Sequence, residues 1–128
     1  MRCLDTTFLI DLLKGDAEAR RKAREWHESG EALSTPAPAV AEVLLGAYFR
    51  GGTYLRDALS MTATLTVLEV DAAVATEAGR LGAELLRHGQ AASLADLLIA
   101  ACAKVRQHIL VTRDEGFARI PGLVLESY

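Results

Sequence analysis

The sequence predicts an α/β fold, a three-layer α/β/α sandwich around a central, mostly parallel sheet of five strands. Three observations lead there. Short apolar segments alternate along the chain with longer segments of helical character. The short segments are continuous apolar runs, as expected of strands covered on both faces by helices. The 128 residues, 51% hydrophobic and 24% charged, match one domain with a real core, so residues 1–128 are read as a single unit.

Arg2–Leu4 is the first strand, with Asp5-Thr6-Thr7 suited to opening a helix that continues through Phe8–Leu13. Lys14-Gly15-Asp16 ends it. Ala17–Glu28, rich in Ala, Arg, Lys and Glu, reads as a second helix stopped by Gly30. Leu33–Thr35 reads as a strand closed by the breaker Pro36-Ala37-Pro38, and Ala39–Phe49 as an apolar helix before Gly51-Gly52. A helix over Tyr54–Met61 and a Val-, Leu- and Thr-rich strand over Leu65–Val70 follow. Asp71 caps an amphipathic helix with Val74, Ala78, Leu81 and Leu85 at helical spacing, ended by His88-Gly89. Ser93 opens a helix to about Arg106. Ile109–Thr112 is a strand, Asp114–Ala118 a helical turn, and Leu123–Leu125, after Pro121-Gly122, the last strand.

Composition excludes several classes of function. Fourteen Lys and Arg against seventeen Asp and Glu give a net charge of −3, which at face value argues against a polyanionic partner. No run approaches the roughly 18 apolar residues of a membrane span. Asp5 and Asp11 interrupt the first apolar stretch, which therefore does not read as a signal peptide. Cys3 and Cys102 lack metal-ligand spacing and read as reduced, buried residues of a cytoplasmic protein. His27, His88 and His108 have no metal spacing either.

Four acids occupy unusual contexts. Glu42 is the only charged residue between Glu31 and Arg50, and Asp96 the only one between Arg87 and Lys104. Asp5 follows the first strand within apolar sequence, and Asp114 follows the strand Ile109–Thr112. A carboxylate buried among aliphatic side chains must be paired, hydrogen-bonded or metal-bound. Purely structural roles exist for each: Asp5 and Asp114 as helix N-caps, Asp96 in a capping box with Ser93, Glu42 tied to an arginine. Taken together, they suggest a shared site. Strand ends on one edge of a parallel sheet and the neighbouring helix N-termini bring all four to one crevice, where ligands bind in such sheets.

Four clustered carboxylates persist as anions when a divalent cation sits among them. Oxygen ligands without His or Cys favour Mg²⁺ or Mn²⁺ over zinc. Such sites act on phosphate esters, so the residues suggest metal-dependent phosphodiester hydrolysis.

Leu4-Asp5-Thr6-Thr7-Phe8-Leu9-Ile10-Asp11, Glu42 in its apolar helix, Ala95-Asp96-Leu97-Leu98-Ile99-Ala100-Ala101 and Leu110-Val111-Thr112-Arg113-Asp114 resemble, in order, the motifs of PIN-domain ribonucleases. The match is closest to the VapC toxins of type II toxin–antitoxin systems. The resemblance implies an Mg²⁺- or Mn²⁺-dependent endoribonuclease acting on RNA, homodimeric and blocked by a cognate VapB-type antitoxin. It places Asp5, Glu42, Asp96 and Asp114 on the family's acidic quartet, as catalytic residues and metal ligands. Thr7 falls where the family often has Asn or Ser, and Thr112 where a hydroxyl is common; both are expected to support the site. An antitoxin is expected to present an apolar helix to a groove formed by the early helices.

Arg113, beside Asp114, is the candidate contact for substrate phosphate. Arg20, Arg24 and His27, with Arg21 and Lys22, read either as a solvated helix face or as an RNA-backbone contact. Trp26, Tyr48, Phe49 and Tyr54 read as core or interface. Two alternatives stand: an RNA-binding or RNA-processing module of this fold without the toxin role, and a receiver-type phospho-acceptor domain. The latter has paired acids after its first strand and a Lys after its fifth, whereas this chain has Asp5 alone and Glu126-Ser127-Tyr128. Setting the four acids aside leaves thirteen acids against fourteen bases, so the net charge is weak evidence against RNA.

Overall fold

A computed structural model describes residues 1–128. The elements run β1 (Arg2–Leu4), α1 (Thr6–Lys14), α2 (Ala17–Glu28), β2 (Leu33–Pro36), α3 (Ala37–Arg50), α4 (Gly52–Ala63), β3 (Thr66–Leu68), α5 (Ala72–Arg87), α6 (Leu94–Val105), β4 (Ile109–Val111), a 3₁₀ turn (Glu115–Arg119) and β5 (Leu125–Glu126). The five strands form one sheet in the order β3-β2-β1-β4-β5, and every pairing is parallel. The sheet expected to be mostly parallel is therefore wholly so.

Side chains of successive strand residues point to opposite faces, and this alternation builds two cores. Cys3 and Leu110 point into one, with Val74, Ala78, Leu81 and Leu85 of α5 and much of α6. Leu4 and Val111 point into the other, with Phe8, Leu9, Trp26, Val43 and Ala58 from α1 to α4. The apolar stripe of α5 faces its core as its spacing requires. Cys3 and Cys102 are buried free thiols, and burial pushes the Cys3 thiol up to about 12, so it stays protonated.

Several boundaries differ from the sequence reading, each for a physical reason. Pro36-Ala37-Pro38 is a junction, not a break: Pro36 pairs with Leu68, and α3 begins at Ala37. Pro38 falls in the first turn, where no backbone N–H is needed. Helix α4 is longer than expected at both ends, and β3 is confined to Thr66–Leu68. The last strand is Leu125–Glu126 in place of Leu123–Leu125, because β4 dictates its register: Leu110 pairs with Leu125 and Val111 with Glu126.

Strand order reverses beside β1, whose neighbours are β2 and β4. The next strand in sequence after β2, β3, lies outside β2, an order different from that of receiver-type domains, where the third strand adjoins the first. That alternative is set aside. The carboxyl ends of β1 and β4 flank the switch point, and Asp5 and Thr112–Asp114 leave the sheet there. No helix is long and apolar enough to cross a membrane.

Candidate functional site

Asp5 is the anchor. It is only 1% exposed, and it caps α1: its Oδ1 accepts from the Phe8 N–H (3.0 Å) and from the Thr7 hydroxyl (2.7 Å). Its Oδ2 accepts from the hydroxyl of buried Thr112. The capping role foreseen for Asp5 is thus present. Thr112 in turn accepts from the Asp114 N–H (3.0 Å), and Thr7 accepts from the Arg113 N–H (3.3 Å). The ends of β1 and β4 are laced together through the two threonines expected to support the site.

The other three acids occupy less buried positions. Asp114 is exposed and caps the 3₁₀ turn, its Oδ1 accepting from the Gly116 N–H at 2.8 Å. Asp96 is half-buried in the first turn of α6, whose cap is Ser93, accepting from the Asp96 N–H at 3.1 Å. Glu42, expected to be buried in an apolar helix, is exposed and accepts from the Thr6 hydroxyl at 2.7 Å. The reason is visible further along α3, where Leu45 and Phe49 are 75% and 93% exposed. The lack of polar neighbours around Glu42 marks an apolar surface and not an interior.

Electrostatics tie the four together. Burial pushes the Asp5 carboxyl above the ordinary carboxylate range; hydrogen bonds from Thr112, Phe8 and Thr7 oppose the shift, and Asp114 adds to it. Asp96 is raised too, by burial first, against the Ser93 hydroxyl, then by repulsion from Asp114 and Glu42, with Arg119 acting the other way. None of the four is ion-paired, whereas acids elsewhere such as Glu31, Glu77 and Asp71 pair with Arg or Lys. Their donor chemistry, all carboxylate oxygen, suits a hard divalent cation. They do not form a preformed cage: no three His, Cys, Asp or Glu side chains stand close enough together to hold a metal ion. The expected convergence is looser than foreseen, as mutual repulsion of four anions requires.

A cleft of about 590 Å³ opens on the β5 side of the site, lined by Thr112, Arg113, Asp114, Glu115, Leu125 and Ser127 among others. Of the four acids only Asp114 lines it; Asp5, Glu42 and Asp96 lie outside its lining. Arg113 is not free there. Its guanidinium pairs with Asp11 (2.8 Å) and Asp16 (3.6 Å) and lies 5.2 Å from the centre of the Tyr128 ring. The Tyr128 hydroxyl donates to Asp11 at 2.6 Å. Asp11, Asp16 and Tyr128 were not apparent from sequence as partners of this loop. An acid within the apolar stretch of α1 was the one signal for Asp11, and nothing in the sequence marked Tyr128.

Of the basic face on α2, Arg21 pairs with Glu18 and Glu25, and Lys22 with Glu126. Arg20, Arg24 and His27, the face itself, are exposed and form no ion pair. Trp26 is core, Tyr48 and Phe49 are exposed, and Tyr54 is partly covered by Arg50, 4.4 Å above its ring.

Comparison with known proteins adds three findings. The family model for the PIN domain matches residues 2–123. The tRNA(fMet)-specific endonuclease VapC of Shigella flexneri is 40% identical over 65 residues, 50% of this chain. The match covers 49% of that protein, so the chain spans about half the length of this relative. Among solved structures, VapBC2 of Rickettsia felis bound to a promoter DNA fragment superposes with a TM-score of 0.86 at 23% identity, covering 99% of this chain and 98% of the other. DNA-bound VapBC of Salmonella typhimurium gives 0.82 at 27% identity, covering 98% and 96%.

Proposed function

This chain belongs to the PIN-domain family, and on that premise we propose that it is a divalent-metal-dependent endoribonuclease, the toxin of a VapBC-type pair. The observation that carries the reading is the set of four carboxylates without ion-pair partners at the switch point of the sheet, one of them buried and held by three donors. Such a set is costly to the free protein and useful to one that takes up a cation. The similarity to the Shigella endonuclease and to VapBC assemblies supports both the RNA substrate and the antitoxin.

In this reading Asp5, Asp96, Asp114 and Glu42 hold Mg²⁺ or Mn²⁺. The bound ion supplies an activated water and charge stabilisation at the phosphate. The chain's own residues do the positioning. Phe8, Thr7 and Thr112 fix both oxygens of Asp5, so its lone pairs keep one orientation toward the site. Thr112, held by Asp5, receives the Asp114 N–H and so sets where that carboxylate leaves the sheet. Thr6 directs Glu42 in the same way from α1. The exposure of Glu42 and Asp114 at the rim of the site suits a long polymer better than an enclosed small molecule. Exposed Leu45, Tyr48 and Phe49 on α3 support an apolar protein contact, as an antitoxin and a homodimer both need.

Purified protein is expected to cut RNA with Mg²⁺ or Mn²⁺, to lose at least about 100-fold of that activity in EDTA, and to regain it on adding excess Mn²⁺. Cleavage indifferent to EDTA would remove the metal mechanism. RNA bound but left uncut under every condition would favour the RNA-binding module instead.

A further inference from the structure

Resting on the ribonuclease reading, we propose that Arg119, not Arg113, is the arginine that grips the substrate backbone, in a polar groove between the end of α5 and the 3₁₀ turn. Arg113, although next to Asp114 in sequence, has its charge taken by Asp11 and Asp16 and its face by Tyr128. A phosphate would have to compete with two carboxylates for it. Arg119 is exposed and forms no ion pair; its Nε only donates to the Gly116 carbonyl of its own turn, at 3.1 Å.

The groove beside it holds about 450 Å³ and is lined by Arg119, His88, Gln90, Glu84, Leu85 and Pro121. Four of those six residues are polar or charged, which suits a phosphodiester chain better than the apolar face of a partner helix. The groove also adjoins the site. Residues 88–93 connect α5 to α6, whose first turn carries Asp96, and Arg119 ends the 3₁₀ turn that Asp114 caps. Along a strand lying across the quartet, a neighbouring phosphate would therefore meet a guanidinium with donors to spare. Glu84, the acid in the lining, is occupied by Arg80 at 3.2 Å. The Nδ1 of His88 is 2.9 Å from the Glu84 carbonyl, which leaves its Nε2 for the groove.

The test is binding of a short fluorescent single-stranded RNA of mixed sequence across a range of salt, in an Asp5→Asn background so that cleavage does not interfere. Arg119→Ala is expected to weaken binding several-fold at low salt and to flatten the logarithmic salt slope by about 0.7, the contribution of one phosphate contact on a single strand. Arg119→Lys keeps the slope while losing part of the affinity, and Arg113→Ala leaves the slope at the parental value. Unchanged affinity and slope in Arg119→Ala overturn the proposal, and that is the result a groove reserved for a protein partner would give. Metal-dependent cleavage by the wild type is scored separately, so a failure of the ribonuclease reading is distinguishable from a failure here.

Discussion

Asp5→Asn is expected to lower RNA cleavage by roughly 100-fold or more, equivalent to about 2.7 kcal/mol of lost transition-state stabilisation, while leaving the metal-free protein at least as stable at pH 7 as the wild type. The two halves of this result come from one fact. Asp5 is buried, and burial disfavours its charged form more than three hydrogen bonds restore it. An amide in its place removes the charge and still satisfies two of the three donors. Its oxygen accepts from Phe8 and Thr7, and its NH₂ donates to the Thr112 oxygen, which has a second lone pair for the Asp114 N–H. The Thr112 hydroxyl proton gives up its acceptor, a cost set against the relief of the buried charge.

The sign of the pH dependence follows. A carboxyl whose folded pKa lies above its unfolded value binds its proton more tightly in the folded state. The folded wild type therefore gains stability as pH falls through the folded value of Asp5 towards the ordinary carboxylate range, and loses that gain as pH rises. Asp5→Asn lacks this contribution, whereas the shift at Asp96, also upward, is shared by both proteins. Thermal unfolding in EDTA from pH 7 down to pH 4 is expected to show the wild type improving relative to the variant. A variant that unfolds well below the wild type at pH 7 would mean that the carboxylate is a structural asset and not a functional burden.

Phe8→Ala is expected to cost about 3–5 kcal/mol of stability, a large part of the roughly 5–15 kcal/mol available to a domain. Phe8 is fully buried, packs 5.5 Å from Trp26 and meets Tyr128 edge-on at 4.8 Å. It belongs to the core that α1 to α4 build on one face of the sheet, and its two aromatic neighbours lie far apart in the chain, Trp26 on α2 and Tyr128 beyond β5, so they cannot both collapse into the void. The expected fall in Tm is about 10–20 °C. A fall of only a few degrees would show that Trp26 and Tyr128 close over the gap, and that the aromatic cluster is less tightly packed than its geometry indicates.

Much of the fold was legible because its signals are local. The stripe Val74, Ala78, Leu81, Leu85 announces one face of α5, and Asp5, Ser93 and Asp71 announce helix starts that the structure bears out. The ends of short strands were less legible. β5 takes its register from β4 and not from its own residues, so Leu123–Leu125 gave way to Leu125–Glu126. The site shows the same division. Residue type and order singled out the four acids, but not their exposure, because apolar sequence around Glu42 describes either a core or an outward apolar face. Proximity in sequence made Arg113 the natural phosphate contact. Only the folded chain brings Asp11, Asp16 and Tyr128 to it and leaves Arg119 unpaired.

Action of the four acids as one divalent-cation site is read out by titration calorimetry with Mn²⁺. Asp96→Asn is the informative variant, because Asp96 lies on α6, away from the hydrogen-bond lattice around Asp5, and its backbone N–H still meets Ser93. The wild type is expected to bind Mn²⁺, and Asp96→Asn to bind it at least about tenfold more weakly while unfolding at a similar temperature. Equal Mn²⁺ affinity in the two proteins, or no binding by the wild type, would contradict it.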